Sequence, residues 1–375
     1  MARELEEVKW EKFKLGDLFR IKSNLQLNKN SFIFSENGEY PYFTRTVFNN
    51  GILGNVHYLD EEHKLKGNCL AVGMIAMRFF YMDKDFYAGQ FTKRAIPIGF
   101  SLNSRLANYF ITVLNKKSKI FQSSLVRNFE KVFKNEEVKL PVKNDGSIDF
   151  EFMTSFISEL EARQISELEA YLVTTGLSDY VLTSEEEKIL EIFRKNKIEW
   201  KEFKIVDLFE VKNTGSILSR DIVLNSGKIP YLSASRENNA VSSYISYDLK
   251  YLDKGNCVFI GGKTFVVTYQ KNDFYSNDSH NLALYFKNEN QKTKLEQLFF
   301  VSCIEKSLSN KYSWGNSISN KKIQNDTLKL PVINGKIDFE FMETLISAIQ
   351  KEIIKDVVLY TDKKIKATKK VVSNK

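Results

Sequence analysis

The chain repeats itself after about 190 residues. Residues 10–19 (WEKFKLGDLF) return as 200–209 (WKEFKIVDLF), an offset of 200 − 10 = 190. Further pairs follow in the same order: 40–42 with 229–231, 66–69 (KGNC) with 254–257 (KGNC), 86–87 with 274–275, 139–142 (KLPV) with 329–332 (KLPV), and 149–153 (DFEFM) with 338–342 (DFEFM). The offset stays between 188 and 190, so the chain holds two copies of a whole domain. A duplicated domain is suited to binding two similar targets at once.

Composition places the chain among ordinary globular proteins. It has 375 residues, 43% hydrophobic and 27% charged, which is enough for two or three domains. No apolar run reaches the ~18 residues of a membrane span, and residues 1–7 (MARELEE) lack the apolar core of a signal peptide. The three cysteines cannot form a disulfide framework, and Cys69 and Cys257 occupy equivalent positions beside apolar residues. We therefore expect buried thiols in a reducing cytoplasm.

Charge indicates the class of partner. The net charge is +8 and the pI is about 9.0. This balance favours a polyanion, with nucleic acid ahead of a membrane surface.

Each copy consists of a β-rich part followed by a helix. Apolar runs at 70–77 and 258–268 predict strands, and helical spacing appears at 105–114 and 292–307. An extended Leu-Pro-Val segment and a turn close each β-rich part. These changes predict a first domain at 1–148, a helical spacer and bridge at 149–197, a second domain at 198–337 and a C-terminal helix at 338–375. The fold class is α+β.

The two tails carry heptad-like apolar spacing. Asp149 and Asp338 are predicted helix caps, and each helix should be ~22–25 residues, or ~33–38 Å, long. The seam residues, which we predict to bind partners, are Phe150, Met153, Ile157 and Leu160, then Phe339, Met342, Ile346, Ile349 and Ile353. The helices could each pack on their own domain. We favour an antiparallel pair forming a coiled-coil spacer in a pseudo-twofold arrangement. Gly176 should end the first helix, and Thr183 should cap a short helix in the bridge.

Catalytic motifs are missing from the sequence. Residues 262–264 (GKT) resemble the end of a phosphate-binding loop, but Cys257 stands where that loop needs glycine. No two prolines are adjacent, no proline precedes aspartate, and the three histidines do not pair at metal-ligand spacing. We predict no catalytic residue, no metal and no bound cofactor on this chain.

Polar and aromatic loop clusters are the candidate binding surfaces. They lie at 44–50, at Arg78 and at 87–94 in the first copy, and at 233–239, 263–264 and 275–281 in the second. Arg, Lys, Asn and Gln pair with base edges, and Ser, Thr and Lys suit phosphates. The predicted DNA-binding residues are Thr44, Arg45, Asn49, Asn50, Arg78, Gln90, Lys93 and Arg94, and Ser235, Arg236, Asn238, Asn239, Lys263, Thr264, Asn277, His280 and Asn281.

A family resemblance rests on three paired features. They are the domain openings, the Lys-Gly-Asn-Cys blocks and the Leu-Pro-Val segments that lead into the helices. The chain resembles the DNA-specificity (S) subunit of type I restriction-modification enzymes, or the similar S subunit of type IIB systems. That resemblance implies two target-recognition domains, each reading half of a split double-stranded DNA site. It also implies helices that set the spacer and hold two methyltransferase (M) subunits carrying S-adenosylmethionine, and it leaves open whether a restriction (R) subunit joins. The bridge at 178–197 departs from the pattern and could alter the spacer geometry.

Two other classes fit the duplication. One is a stand-alone duplicated DNA-binding regulator, and the other is an adaptor that binds an acidic protein. The paired seam helices favour a subunit that docks partners.

Overall fold

A computed structural model describes residues 7–123, 126–288 and 293–373, with side chains except those of Val126 and residues 367–373. The first six residues, where the sequence predicts no signal peptide, lie outside the described part. The chain divides into two compact units. The first comprises the residues up to Leu168 together with the chain from Ile365, and the second runs from Glu169 to Lys364.

The first unit consists of nine strands and five helices within its described residues. In chain order they are β1 (Trp10–Lys14), α1 (Leu15–Leu18), β2 (Phe19–Ser23), β3 (Tyr40–Phe43), β4 (Ile52–Val56), β5 (Cys69–Gly73), β6 (Arg78–Met82), β7 (Tyr87–Ala88), β8 (Thr92–Pro97), α2 (Ser104–Lys116), α3 (Ser118–Ser123), α4 (Phe129–Asn135), β9 (Glu137–Pro141) and α5 (Phe150–Thr174), whose last six residues fall in the second unit.

The strands form three sheets in the orders β2-β8-β5-β6, β4-β3-β7 and β1-β9. All pairs are antiparallel except β3 with β7. Strand β5 is buried at every position, as expected for an interior strand covered on both faces. Strand β2 buries Phe19 and Ile21 and exposes Arg20 and Lys22, the alternation of a half-buried strand.

The four-stranded sheet is the middle of three layers. One face, with Leu70 and Val72, packs on α2, α3, α4 and the start of α5 around Phe110 and Met153. The other face, with Cys69 and Ala71, packs on the three-stranded sheet. Full burial of one such apolar side chain contributes about 1.5–3 kcal/mol. The sheet is therefore fixed from both sides, which leaves the loops at its ends free for function.

The second unit repeats this plan. It contains α6 (Ser184–Arg194), β10 (Trp200–Lys204), α7 (Ile205–Leu208), β11 (Phe209–Asn213), β12 (Ile229–Leu232), β13 (Val241–Ile245), β14 (Cys257–Gly261), β15 (Val266–Gln270), β16 (Tyr275–Ser276), β17 (Leu282–Phe286), α8 (Lys294–Leu308), α9 (Asn320–Ile323), β18 (Thr327–Ile333), β19 (Lys336–Ile337) and α10 (Phe339–Ser373), which extends past Lys364 into the first unit. Its sheets are β11-β17-β14-β15, β13-β12-β16 and β10-β18-β19.

Equivalent aromatic pairs show how closely the cores agree. Phe19 meets Phe110 edge-on at 5.1 Å, and Phe209 meets Phe300 edge-on at 5.3 Å. The repeat read from the sequence is thus a repeat of core packing, and the predicted two-domain α+β class is confirmed.

The predicted helix caps are confirmed. The Asp149 carboxylate accepts a hydrogen bond from the Phe152 N–H at 2.9 Å, and Asp338 accepts from Phe341 at 2.9 Å. Gly176, with φ +71°, is the second residue after the end of α5 at Thr174. Such left-handed residues after a helix favour glycine, because a Cβ there is strained.

Helix α6 begins as the sequence predicts, with a capping box between Thr183 and Glu186. It is then fixed to α10 inside the second unit. The Lys351 ammonium lies 3.0 Å from the buried Glu186 carboxylate, which also accepts a hydrogen bond from Ser347 at 2.7 Å. Burial raises the Glu186 pKa, but the hydrogen bonds from Ser347, Thr183 and Lys351 and the Lys351 charge outweigh it and lower the pKa. These contacts fix the segment that bridges the two copies to α10.

Three sequence predictions require correction. Helix α10 has 35 residues, against the ~22–25 predicted. The apolar runs 70–77 and 258–268 are not single strands, because each turns back as a hairpin after Gly73 or Gly261, with Met77 and Phe265 at φ +48° and +51°. The C-terminal half of the α10 seam is also shifted. The structure buries Val358 and Thr361 there and leaves Ile353 72% exposed. A hydrophobic pattern does not predict burial of the polar Thr361. Its hydroxyl can be buried because it donates a hydrogen bond to the Val357 carbonyl.

Among the described residues, no helix combines the length and the apolar character needed to cross a membrane.

Candidate nucleic-acid interface

Loops at one end of the first unit form a recess of about 570 Å³. Three predicted residues, Thr44, Arg45 and Gln90, line it together with Lys29 and Ile75. They come from the β3–β4, β5–β6 and β7–β8 loops and from a 3₁₀ turn after β2. The fold therefore collects side chains that are up to 61 positions apart (29 to 90) on one surface.

The backbone under this surface is tightly fixed. A Cβ on Gly73 would lie 2.9 Å from the Arg45 Cα, so only glycine allows the two loops to approach this closely. The Phe91 carbonyl accepts from the Met74 N–H at 2.9 Å, and the Phe91 N–H donates to the Gln26 side chain at 3.3 Å. The loop carrying Phe91 is thus held from both sides.

Each of these three strand-connecting loops exposes a large apolar side chain. Phe48 is 79% exposed, Ile75 62% and Phe91 48%. The Arg45 guanidinium lies 5.6 Å from the centre of the Phe91 ring, a cation–π contact. Within the described part of the chain, Arg45 forms no ion pair. An arginine stacked on a ring and lacking a carboxylate keeps its donors available for a ligand.

The remaining predicted residues of the first unit separate into two groups. Arg78 is exposed at the start of β6, and Lys93 on β8 donates to the Ser23 hydroxyl at 3.0 Å. Asn49 and Asn50 adopt φ +46° and +52°, and the Asn49 amide donates to the Ile52 carbonyl at 3.1 Å. The two asparagines therefore form the turn that carries the loop, although both remain exposed.

Arg94 lies in a different environment from Arg45. It is half-buried on β8, opposite Ala71 on β5, and its buried Nε has no hydrogen-bond partner among the described residues. Burial lowers the pKa of its guanidinium. At the equivalent cross-strand pair the second unit has Phe259 and Ala283. Each pair therefore has one large and one small side chain, but the large one is on β8 in the first unit and on β14 in the second. We therefore interpret the stem of Arg94 mainly as a packing element.

The second unit shows a different surface at the equivalent place. Lys263 lies 2.7 Å from the Asp278 carboxylate, and the His280 ring Nδ1 lies 2.7 Å from the same group. Burial raises the Asp278 pKa, but the hydrogen bonds from Lys263 and His280 outweigh it and bring the value to about 2. Lys263 of the β14–β15 loop and His280 of the β16–β17 loop, both predicted DNA ligands, are therefore already paired with one carboxylate.

Other predicted residues in this loop set are also engaged. Arg236 lies 3.5 Å from Glu305, the Thr264 hydroxyl donates to the Ala234 carbonyl, and the Ser235 hydroxyl accepts from the Glu237 N–H. The Asn238 amide donates to Val241 and that of Asn239 to Tyr269. Asn238 repeats the turn role of Asn49, with φ +48°.

The prediction for Asn281 is corrected by its burial. Its side chain is 1% exposed, accepts from the Gly262 N–H at 3.0 Å and donates to Ser276 and Asn277. Its side chain thus joins its own loop to the β14–β15 loop, so Asn281 shapes the surface and does not contact a ligand. Asn277 supports it and is only partly exposed.

Sequence reasoning missed two kinds of residue. Ile75 and Phe91 were absent from the predicted site, because apolar residues are usually assigned to the core. Asp278 was also absent, because a carboxylate does not suggest a DNA ligand. Comparison of the copies contained a signal for both, since Ile75 corresponds to Lys263, Gln90 to Asp278 and Phe91 to Ser279 at offset 188. The most divergent positions of the repeat were the informative ones.

The predicted partner-binding residues occupy helix surfaces. In the first unit Met153 is buried, Phe150 and Ile157 pack on the core, and Leu160 is 43% exposed. In the second unit Met342 is buried, and Phe339, Ile346 and Ile349 pack at the edge of the core. Ile346 and Ile349 also line a mainly apolar groove of about 700 Å³ with Trp200, Phe299 and Cys303. Burial raises the Cys303 pKa to about 12, so its thiol is a packing group.

Among the described residues, no three His, Cys, Asp or Glu side chains lie close enough to hold a metal ion.

Comparison with known proteins gives the class. A family model described as "Type I restriction modification DNA specificity domain" matches twice, at residues 7–170 and 197–358. The chain therefore belongs to that family and contains two copies of its domain.

Individual relatives agree with this assignment. The specificity subunit S.BcgI of a type II restriction enzyme from Heyndrickxia coagulans is 24% identical over 166 residues, which is 44% of this chain and 47% of that protein. The matched region thus spans about half the length of that relative. A crystal structure of a type I restriction-modification S subunit from M. genitalium is similar in fold, with a TM-score of 0.60, 13% identity, and coverage of 100% of this chain and 96% of that one.

Proposed function

We propose that this chain is the DNA-recognition subunit of a restriction-modification complex. Each domain would read one half of a bipartite double-stranded target. The observation that carries the proposal is the contrast between a repeated framework and non-repeated loop ends. Arg45, Ile75 and Phe91 correspond to Ala234, Lys263 and Ser279, while the glycine contacts and turns beneath them are shared. Such a contrast fits two readers of two different sequences.

The chemistry of both surfaces supports DNA as the ligand. Arg45 and Gln90 offer donors to base edges. Lys29 in the same recess, and Arg78 on β6 and Lys93 on β8, suit phosphates. In the second unit Arg236, Lys263 and His280 are exposed and paired with carboxylates. The net charge of +8 adds a general attraction to a polyanion.

Methyltransferase subunits are the proposed protein partners. The apolar groove beside Ile346 and Ile349 and the exposed Ile353 on α10 offer a docking surface, and Leu160 offers a smaller one on α5. Two such subunits would bind, one for each copy, and would bring S-adenosylmethionine. This chain would hold no cofactor and perform no catalysis. We also propose, from the heptad spacing, that α5 and α10 form the spacer between the readers. A restriction subunit could join through the methyltransferases.

The test starts with the full chain, purified alone and after co-expression with a candidate methyltransferase (M) subunit from the same genome. Each preparation is used to select duplexes from a random library. We expect co-purification of the methyltransferase and enrichment of two short, dissimilar sequences at a fixed separation. Enrichment of one unsplit sequence without a bound methyltransferase would favour a stand-alone regulator, and no enrichment would refute DNA recognition.

A further inference from the structure

The Arg45–Phe91 pair carries an inference that rests on the proposed function and extends it to the bases read. Phe91 has φ +58° and is 48% exposed. A bulky side chain rarely adopts this backbone conformation, and such strain of about 1–3 kcal/mol tends to persist at functional sites. A packing role would not explain the position, since about half of the ring faces solvent.

The conformation of Phe91 is imposed by its neighbours. Its carbonyl accepts from the Met74 N–H, and its own N–H donates to the Gln26 side chain. The ring is thereby presented at a fixed place without support from the core. Rigid exposed aromatics of this kind act as binding anchors, because little conformational entropy is lost when a ligand covers them.

Arg45 is oriented by the same ring. Its guanidinium lies over the Phe91 face at 5.6 Å, and its backbone is fixed against Gly73. The plane of donors is thus preset before a ligand arrives. Arginine in this state suits the bidentate contact with O6 and N7 of guanine in the major groove.

The exposed apolar side chains beside Arg45 are suited to contact an apolar group of the ligand. Ile75, 62% exposed, shares the recess with Arg45, and Phe91 contacts Arg45 directly. The one apolar group on the major-groove edges of the four bases is the C5-methyl of thymine. The second unit, with Lys263 and Ser279 at these positions, offers no such surface.

We infer that the first domain reads a guanine through Arg45 and an adjacent thymine methyl through Phe91 and Ile75. The first half-site therefore contains neighbouring G and T, on the same strand or on opposite strands. The second domain, which lacks both the free arginine and the apolar pair, does not use a thymine methyl in this way.

The experiment uses base analogues in the duplex selected by the full chain. Each thymine is replaced in turn by uracil, which removes only the methyl group, and each guanine by 7-deazaguanine, which removes N7. We expect one uracil in the first half-site to weaken binding about 4-fold, which is the change in affinity expected when the burial of one methyl group is lost. One adjacent 7-deazaguanine should weaken it by about 10-fold.

Variants assign each effect to its side chain. Ile75→Ala should reduce the uracil penalty and keep the 7-deazaguanine penalty. Phe91→Ala should reduce both penalties, because the ring also orients Arg45. Arg45→Ala should remove the 7-deazaguanine penalty and keep the uracil penalty. Ser279→Ala, the matched change in the second unit, should leave all penalties unchanged. Phe91→Gly relieves the backbone strain, so it should reduce both penalties without lowering the unfolding temperature, which separates recognition from folding.

The failures are distinguishable. If a bipartite site is selected but no thymine in it responds to uracil, or if Phe91→Ala keeps the full uracil penalty, this inference is wrong and the proposed function stands. If no sequence is selected at all, the proposed function fails and the inference fails with it.

Discussion

The two loop surfaces of this molecule differ in how their charges are used. In the first unit Arg45 lies on the Phe91 ring and outside any ion pair of the described residues, with exposed Phe48 and Ile75 nearby. In the second unit Lys263 and His280 both contact Asp278. The sheets and turns beneath them are nearly the same. In this fold, therefore, the loop residues that can contact a ligand are different from the residues that form the core.

That separation has a physical basis. The sheet is fixed by helices on one face and a smaller sheet on the other, so its stability depends little on the loop ends. Loop side chains can then change from apolar to charged at the cost of local hydrogen bonds alone. Asp278 shows one such local solution, because it neutralises the cation that replaces Ile75.

Replacing a whole domain should have the largest effect. If residues 1–148 are exchanged for the corresponding domain of another family member, one half-site should change completely and the other should stay the same. Sequencing of methylated sites in cells expressing the exchanged chain measures both halves. A change in both halves would show that the domains do not read independently.

Truncation of the two loop arginines should come next. Arg45→Ala should cost about 1–3 kcal/mol on the selected duplex and relax one base position, because a base contact is lost. Arg236→Ala should cost less, since that side chain is shared with Glu305. Equal losses on specific and random duplexes for both variants, measured by fluorescence titration, would assign both to general electrostatics.

A partly buried carboxylate gives the next contrast between the units. Burial raises the Asp253 pKa to about 6, while the first unit has Leu65 at this position. The folded state therefore holds the proton more tightly than the unfolded chain. The resulting stability is present below about pH 4 and is lost as the pH rises through 6.

Asp253→Asn does not titrate and can still accept from the Gly215 N–H. At pH 7 it should stabilise the second unit by on the order of 1–2 kcal/mol. Hydrogen exchange of second-unit amides should show a gain that shrinks toward pH 4. A gain that is equal at both pH values would exclude titration of Asp253 as its cause.

Removal of the Asp278 charge should have the smallest effect. Asp278→Asn frees Lys263, so affinity for random duplexes should rise a few-fold, and the slope of log affinity against log salt should steepen by about 0.9. Asp273→Asn is a matched control, because Asp273 pairs with Lys254 outside the predicted loop set. An unchanged slope would place Lys263 away from phosphates.

Much of the fold could be predicted from the sequence. The repeat, the helix caps at Asp149 and Asp338 and the capping box at Thr183 follow from local chemistry, and the structure has all of them. The hairpins after Gly73 and Gly261 were missed, because an apolar run of strand composition does not reveal a turn with positive φ at Met77 or Phe265. The shifted α10 seam depends on Thr361, which only tertiary packing buries.

The candidate site was predicted less completely, for a related reason. Residue type indicated Arg45 and Gln90, which do line the recess. It also indicated Asn281, which is buried, and Asn49 and Asn238, whose identity in both copies is better explained by a shared turn. Exposure and pairing, which separate Arg45 from Lys263, are properties of the folded loops and cannot be obtained from composition.

The central claim, that the loop ends and not the shared frameworks determine what each domain reads, has a direct test. Residues 44–48, 74–77 and 89–91 are exchanged with 233–237, 262–265 and 277–280 in one chain, and the product is used to select duplexes from a random library. The account predicts the same two half-sites at the same separation in reversed order. Selection of the original order by a folded chain would contradict it.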